Sequence, residues 1–122
     1  MSKMYVYSGS YQTTNWASDF KDMIGVPLTK GLGISRCKFD LNTGKWKLLG
    51  YTKSNDNPSV MCISPDKKYL YVGKETKNHF GNLGAGGGVA AYRIDENTGN
   101  LSFINEVSSC GTFCVGVVTD MI

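Results

Sequence analysis

Short apolar runs, each of strand length and each followed by a polar turn, succeed one another along the chain. Most are rich in β-branched and aromatic residues, which favour extended structure, and several alternate apolar with polar positions. No segment of helical length carries a sustained apolar stripe with a 3.6-residue period. The pattern therefore predicts an all-β protein. The predicted strands lie at 4–11, 33–40, 46–51, 60–63, 69–74, 88–95 and 101–107.

One stretch of the chain recurs 55 residues later. Residues 33–46 return as 88–101 with a constant shift, since 88 − 33 = 55 and 99 − 44 = 55. In both copies an apolar strand ends at an Asp, and an Asn-Thr-Gly sequence follows. Asp and Asn side chains bond nearby backbone in turns, and Gly44 and Gly99 can supply the positive φ that a tight reversal needs. Both copies therefore predict hairpins, with Trp46 and Leu101 as equivalent core positions.

The first repeat continues beyond its hairpin. It adds an apolar run at 60–63, a turn at 64–68 and a second run at 69–74. Pro65 suits the turn because the φ of proline is preset. Four antiparallel strands per unit, with a period of roughly 40 to 50 residues, are typical of β-propeller blades. A generic meander or sandwich is the alternative.

These repeats define one partial propeller domain over 1–122, with about two four-stranded antiparallel blades. A leading strand and rim loop occupy 1–30. The first blade repeat occupies 31–85, and a second, incomplete blade repeat occupies 86–122. The glycine-rich stretch 78–88 has little side-chain bulk to pack, so we interpret it as a flexible connection between the blades.

Composition narrows the class of protein. Apolar residues make up 41% and charged residues 19%, as in soluble globular proteins. The 13 basic and 10 acidic residues are scattered along the chain, which argues against a nucleic-acid surface. The chain shows neither a membrane-length apolar segment nor a secretion signal, so we expect a cytoplasmic protein that contacts no membrane. Four cysteines without paired spacing and a single histidine predict reduced thiols and no metal site.

The motifs, taken in order, resemble those of the lactonase family of seven-bladed β-propellers. Residues 5–11 look like the family's opening strand, and 33–44 look like its first hairpin. The strongest match is the Asn-Pro-Ser phrase at 57–59 leading to the Ser-Pro-Asp-Lys-Lys turn and the strand after it. Residues 87–99 resemble the start of the next blade. The resemblance covers nearly the whole chain.

The resemblance implies hydrolysis of 6-phosphoglucono-δ-lactone to 6-phosphogluconate, a cytosolic step of the pentose phosphate pathway, without a cofactor. The partner would be a small sugar-phosphate lactone. Because most blades are missing from 1–122, we expect the chain alone to be inactive and to self-associate through unpaired blade edges. The alternatives are a non-catalytic binding or scaffold propeller, an enzyme of the carboxymuconate cyclase type, and a truncated gene product.

Four residues are candidates for the site. The resemblance puts Glu75 at a strand end on the channel rim, where a carboxylate could position water as the catalytic group. The alternative is an exposed rim charge paired with Lys74 or Lys77. Ser10 and Tyr11 end the first strand and could face the channel to bind substrate, or could pack at the rim. His79 is the one imidazole, suited to acid–base work near neutral pH, but it lies in the glycine-rich stretch and could be a solvated loop residue.

Two further features bear on the site. Family members commonly carry a Pro-Cys-His phrase in the second repeat, with the His directed at the site. By the 55-residue shift, Phe113 stands at the Pro and Val115 stands at the His, and a valine cannot transfer a proton. Arg36 and Arg93 could anchor a phosphate, or could line a blade surface.

Overall fold

The structure is a computed structural model that describes residues 3–11, 31–54, 57–76, 78–79, 82–83, 86–111 and 113–121. In these residues the secondary structure consists of strands and turns, which confirms the predicted all-β class. The strands are β1 (Lys3–Gly9), β2 (Ile34–Asp40), β3 (Trp46–Thr52), β4 (Pro58–Ile63), β5 (Tyr69–Lys74), β6 (Asn78–His79), β7 (Asn82–Leu83), β8 (Gly88–Ile94) and β9 (Leu101–Ser108).

The strands form two main antiparallel sheets. The first sheet has the order β1-β2-β3, and the second has the order β4-β5-β8-β9. The short strands β6 and β7 pair with each other. One four-stranded sheet and one three-stranded sheet account for the two blades that the sequence predicted.

The sheets are out of phase with the sequence repeat. We predicted that the four strands β2 to β5 form one blade, but β2 and β3 join β1, whereas β4 and β5 join β8 and β9. The glycine-rich stretch 78–88 therefore connects two strands of one sheet, and its interpretation as a link between blades is wrong. A sequence repeat shows how long each unit is, but it does not show where one sheet ends and the next begins. That boundary depends on which strands pair over long range.

The three strands of the first sheet reproduce β5, β8 and β9 of the second. Both ladders contain a register shift directly after equivalent residues, Arg36 in β2 and Ala91 in β8, where 91 − 36 = 55. Tyr7 lies opposite Arg36 and Tyr71 lies opposite Ala91, so β1 corresponds to β5 with a shift of 71 − 7 = 64. An extra residue at the same place in two sheets bends both in the same way. The propeller unit is thus repeated in structure as well as in sequence.

The hydrophobic core lies between the two sheets. It joins Ile34 of β2 to residues of β5 and β8, with Tyr7 and Met61 packed against it. The buried residues are Ile34, Leu70, Val72, Ala90 and Tyr92. Of the two predicted core positions, Leu101 packs against this cluster, whereas the side chain of Trp46 is 60% exposed and contacts the ring of Phe39. The prediction for Trp46 is wrong because, in the described residues, no core cluster packs against it as one packs against Leu101.

Candidate functional site

Two of the predicted site residues meet at one end of the sheets. Tyr11 follows the end of β1, and Glu75 follows the end of β5. Because β1 and β5 correspond with a shift of 64, Tyr11 and Glu75 occupy equivalent positions in the two sheets. β1 passes so close to β4 that a side chain at Gly9 would collide with the carbonyl of Pro58. This approach brings the two strand ends together.

Tyr11 and Glu75 form a direct hydrogen bond. The Tyr11 hydroxyl donates to Glu75 Oε2 over 2.5 Å, and both residues are half-buried. Burial, then the hydrogen bond and the negative charge of Glu75, raise the pKa of Tyr11 to about 12. The phenol therefore keeps its proton at neutral pH and holds one carboxylate oxygen, which leaves the other oxygen to accept from water or a ligand.

Asn57 fixes the backbone of Glu75 from both sides. The Glu75 N–H donates to the Asn57 carbonyl over 2.9 Å, and Asn57 Nδ2 donates to the Glu75 carbonyl over 3.3 Å. Asn57 is fully buried at the start of β4. The Asn-Pro-Ser phrase was the strongest match to the lactonase family, but no role was predicted for its Asn57. In the sequence, the available signal was an asparagine directly before a proline at the start of a predicted strand.

A buried ion pair lies directly before Glu75. The side chains of Lys74 and Glu106 are 1% and 3% exposed, and Lys74 Nζ contacts Glu106 Oε1. The alternative prediction was that Glu75 is an exposed rim charge paired with Lys74 or Lys77, and for Lys74 this is wrong. Its position was visible in the alternation of β5, because Leu70, Val72 and Lys74 point to the same buried face. The pair anchors the end of β5 from which Glu75 extends.

The other two candidates, Ser10 and His79, make no side-chain contact with Tyr11 or Glu75 that the structure describes. Ser10 Oγ donates to the Gly33 carbonyl over 3.1 Å, so its hydroxyl contacts the backbone before β2. His79 lies in β6 opposite Asn82, and its side chain lies outside the described residues. A role of Ser10 or His79 in substrate binding stays a prediction.

The two arginines are held by contacts away from the Tyr11–Glu75 pair. Arg93 faces Tyr69 at the start of β5 and stacks over its ring at 5.4 Å. Arg36 donates to the Thr98 carbonyl over 2.7 Å, in the turn between β8 and β9. A phosphate held at the Tyr11–Glu75 end would be out of reach of Arg93, because β5 spans about 20 Å. Arg36 lies opposite Tyr7, and its guanidinium is directed at the turn between β8 and β9.

The segment that carries Val115 passes beside the candidate site. The N–H of Phe113 donates to the carbonyl of Thr76 over 3.1 Å, one residue beyond Glu75. Ser59 Oγ, at the equivalent place one repeat earlier, contacts the carbonyl of Cys114. Val115 itself is 69% exposed. The position at which the resemblance implies a His therefore lies two residues after the backbone contact with Thr76, and in this chain it is apolar.

The sheet order, the shared bulge and the 55-residue repeat define the molecule as a partial β-propeller. Comparison with protein families gives the same result in more detail. The family described as "Lactonase, 7-bladed beta-propeller" matches residues 5–120, and the chain belongs to this family.

Individual relatives match over part of their length. A 6-phosphogluconolactonase of Formosa agariphila is 37% identical over 81 residues, which cover 66% of this chain and 21% of the relative. A crystal structure of a candidate 6-phosphogluconolactonase from Bacteroides uniformis ATCC 8492 superposes with a TM-score of 0.74 at 22% identity, covering 98% of this chain and 29% of that one. The periplasmic gluconolactonase PpgL of Pseudomonas aeruginosa superposes with a TM-score of 0.63 at 23% identity, covering 89% and 26%.

These structural similarities establish the fold. The chain spans about a fifth of the curated relative and less than a third of each solved structure. Within the residues that the structure describes, no helix has the length and apolar character needed to cross a membrane.

Proposed function

We propose that this chain forms part of a lactonase that hydrolyses 6-phosphoglucono-δ-lactone to 6-phosphogluconate, in the cytoplasm and in the pentose phosphate pathway. Family membership and the curated relative from Formosa agariphila support the reaction class. The observation that carries the proposal in this chain is the 2.5 Å hydrogen bond between Tyr11 and Glu75. It gives the end of the sheets a carboxylate whose orientation is fixed and whose second oxygen can bind water.

In the proposed reaction Glu75 orients a water molecule toward the lactone carbonyl. As the oxygen of water bonds to C1, one of its protons passes to the carboxylate, and the carbonyl oxygen becomes an oxyanion. The tetrahedral intermediate collapses by breaking the bond between C1 and the ring oxygen, which takes the proton from Glu75. The product is the open-chain acid. Tyr11 does not transfer a proton in this scheme, because its raised pKa keeps the phenol neutral.

The remaining groups that the reaction needs would come from other blades. A phosphorylated lactone requires cations for the phosphate and donors for the oxyanion. Arg93 lies at the other end of its sheet, Arg36 is bonded to the turn between β8 and β9, and Lys74 is paired with Glu106. We therefore expect the 122-residue chain alone to hydrolyse the lactone no faster than water does.

A chimera tests the role of Glu75. The chain would replace the matching segment of the Formosa agariphila relative, and 6-phosphogluconate formation would be followed with fresh lactone. Glu75→Gln keeps the shape but cannot accept a proton, so we expect kcat to fall by about 10² to 10⁴ with a small change in KM. Glu96→Gln, in the exposed turn after β8, is the matched control. Equal kcat for the parent chimera and the Glu75→Gln variant would contradict the proposal.

Val115 supports a second candidate, a propeller that binds lactones or sugars without turning them over. If the folded parent chimera is inactive and Val115→His restores turnover, the non-catalytic function is the correct one. If the parent chimera is active and Val115→His changes kcat little, the lactonase proposal stands.

A further inference from the structure

The carboxylate that we propose as the base belongs to a residue just beyond the strand ladders. The last pair that joins β4 to β5 is Pro58 with Lys74, and Glu75 follows directly after it. We propose that Asn57 is a positioning residue, which holds the backbone of Glu75 so that its carboxylate stays against the Tyr11 hydroxyl. This inference rests on the proposed lactonase function, because it concerns the residue to which that function assigns the proton transfer.

Glu75 is the central residue of a γ-turn. The Thr76 N–H donates to the Lys74 carbonyl over 3.1 Å, which closes a hydrogen bond between residues two apart. Because the φ of Glu75 is not positive, the turn is of the inverse type, which is common at strand ends. The hydrogen bond of the turn uses neither the N–H nor the carbonyl of its central residue. Both main-chain groups of Glu75 therefore need partners from another segment.

Asn57 supplies a partner for each group. The Glu75 N–H donates to the main-chain carbonyl of Asn57 over 2.9 Å, and Asn57 Nδ2 donates to the Glu75 carbonyl over 3.3 Å. In an antiparallel ladder, alternate pairs of opposed residues exchange two such bonds through their main chains. Here the side-chain amide takes the place of the main-chain N–H. The pairing thus extends one residue beyond the ladder, to the corner of the γ-turn.

The local sequence prepares Asn57 for this contact. A proline restricts the residue before it to extended backbone, so Pro58 favours the conformation of a strand at Asn57. The ladder between β4 and β5 shifts register between Pro58 and Val60, so regular pairing is already interrupted at this end. Asn57 is fully buried. A side chain that is packed on all sides holds its hydrogen-bond partner with little freedom.

The hold on the backbone matters because the carboxylate is aligned at its other end. The Tyr11 hydroxyl donates to Glu75 Oε2 over 2.5 Å. Loss of the Asn57 amide would free the peptide group between Glu75 and Thr76, and rotation of that group would move the carboxylate relative to Tyr11. A misplacement of about 1 Å can lower a rate by about 10². Substitution of Asn57 should therefore lower kcat through Glu75.

A double-mutant cycle in the folded chimera tests whether Asn57 acts through Glu75. Asn57→Ala alone should lower kcat by about tenfold to a hundredfold and leave KM within about twofold of the parent value. In the Glu75→Gln background the same substitution should lower kcat by less than about twofold, because the base is already absent. An unchanged kcat for Asn57→Ala, or an equal loss in both backgrounds, would overturn the proposal.

Ser64→Ala is the matched control for a general loss of structure. Ser64 flanks the other end of β4, is 8% exposed, and accepts from the Tyr69 N–H through its hydroxyl over 3.0 Å. Its substitution removes a hydrogen bond beside the same strand, but away from Glu75, and should leave kcat unchanged. A loss of kcat as large as that of Asn57→Ala would show that any defect beside β4 has this effect, and would overturn the positioning role.

A titration of Tyr11 tests the positioning without reference to activity. Burial, then the hydrogen bond and the charge of Glu75, raise the pKa of Tyr11 to about 12. In the 122-residue chain with isotope-labelled tyrosine, NMR should show this pKa lower by at least about 0.5 in Asn57→Ala and unchanged in Ser64→Ala. Tyr11→Phe assigns the signal, and circular dichroism checks that each variant is folded.

The titration separates failure of this inference from failure of the proposed function. Equal Tyr11 pKa values in the wild type and Asn57→Ala would overturn the positioning role even if Glu75→Gln abolishes turnover. A lower pKa together with equal kcat for the parent chimera and Glu75→Gln would place the failure in the lactonase proposal and confirm that Asn57 holds the carboxylate.

A second variant covers the case in which Asn57→Ala does not fold. Asn57→Asp keeps the shape but presents an oxygen to the Glu75 carbonyl, so it should show the same loss of kcat and the same lower Tyr11 pKa. If neither variant folds, amide exchange in the wild type decides. The Asn57 side-chain amide should exchange at least about tenfold more slowly than that of Asn42 in the exposed turn after β2. Equal rates would overturn the proposal.

Discussion

The two sheets share strand order, bulge position and turn sequence, but only one of the two equivalent turns is docked. The turn after β8 packs on Tyr5, Tyr7 and Arg36 of the first sheet, and Gly99 within it is buried. The equivalent turn after β2 is exposed around Gly44. The shared Asp and Asn-Thr-Gly residues thus give the same turn in both sheets, while burial of the turn depends on whether a neighbouring sheet is present. Substitutions at matched positions separate these two contributions.

The largest effect is expected at Lys74, which is buried at the end of β5. Lys74→Met would leave Glu106 buried without its cation, and we expect the free energy of unfolding to fall by about 3 to 5 kcal/mol. Ser10 is the counterpart of Lys74 in the first sheet and is exposed, so Ser10→Ala should cost less than about 1 kcal/mol. Urea denaturation measures both. Similar values for the two variants would show that the ion pair does not stabilise the fold.

The next largest effect is expected at the turn glycines. Both have positive φ, +69° at Gly99 and +71° at Gly44, so an alanine at either costs about 1 to 2 kcal/mol of backbone strain. At Gly99 the added Cβ would also lie 2.7 Å from Tyr5 Cγ and would push the ring away. We expect Gly99→Ala to destabilise the chain by about 1 kcal/mol more than Gly44→Ala. Equal thermal shifts at low protein concentration would contradict the docked position of the turn.

A smaller effect is expected for the tyrosine hydroxyls. Tyr7→Phe removes the 2.6 Å hydrogen bond to Gly99 and should cost about 0.5 to 1.5 kcal/mol. Its counterpart Tyr71 lines an open groove beside residues 117–121. Tyr71→Phe should therefore leave the stability of the monomer within about 0.5 kcal/mol of wild type. Chemical denaturation at low concentration compares the two. A greater loss for Tyr71→Phe than for Tyr7→Phe would reverse the assignment of the two faces.

The smallest effect is expected for the stability that Asp95 contributes, which should be lost in acid. The backbone N–H of Thr98, then its hydroxyl and the N–H of Asn97, lower the pKa of Asp95 by bonding its carboxylate. Because the folded-state pKa lies below the unfolded value of about 3.9, this stabilisation is present above that value. It is lost as the pH falls through the folded-state pKa. The stability difference between wild type and Asp95→Asn should therefore be constant above about pH 5 and shrink in stronger acid. A difference that grows as the pH falls would contradict this assignment.

Local sequence was enough to predict the strands, the hairpins and the propeller class. The turn chemistry at Gly44 and Gly99 depends on residues close together in the chain. The 55-residue shift is visible directly when the two local patterns are compared. The assignment of strands to sheets failed because β5 pairs with β8 across the glycine-rich stretch, which no local pattern specifies. The prediction that Trp46 is a core residue failed for a related reason, since equivalent positions in a repeat need not have equivalent neighbours.

The candidate site was predicted in part. The strand-end positions of Tyr11 and Glu75 were identified, but their mutual hydrogen bond depends on the close approach of β1 and β4. Asn57 and the pair of Lys74 with Glu106 were missed because each acts through a partner distant in sequence. Polar residues on a buried face were the available signal.

Amide exchange at the two turn glycines tests most directly whether equivalent turns differ only in docking. The Gly99 N–H donates to the Asp95 carbonyl over 2.7 Å, and the Gly44 N–H donates to the Asp40 carbonyl over 2.8 Å, so the hydrogen bonds are matched. In the monomer, measured by NMR at low concentration, Gly99 should exchange at least about tenfold more slowly, because its turn is docked on the first sheet. Equal exchange rates, or slower exchange at Gly44, would contradict this account of the fold.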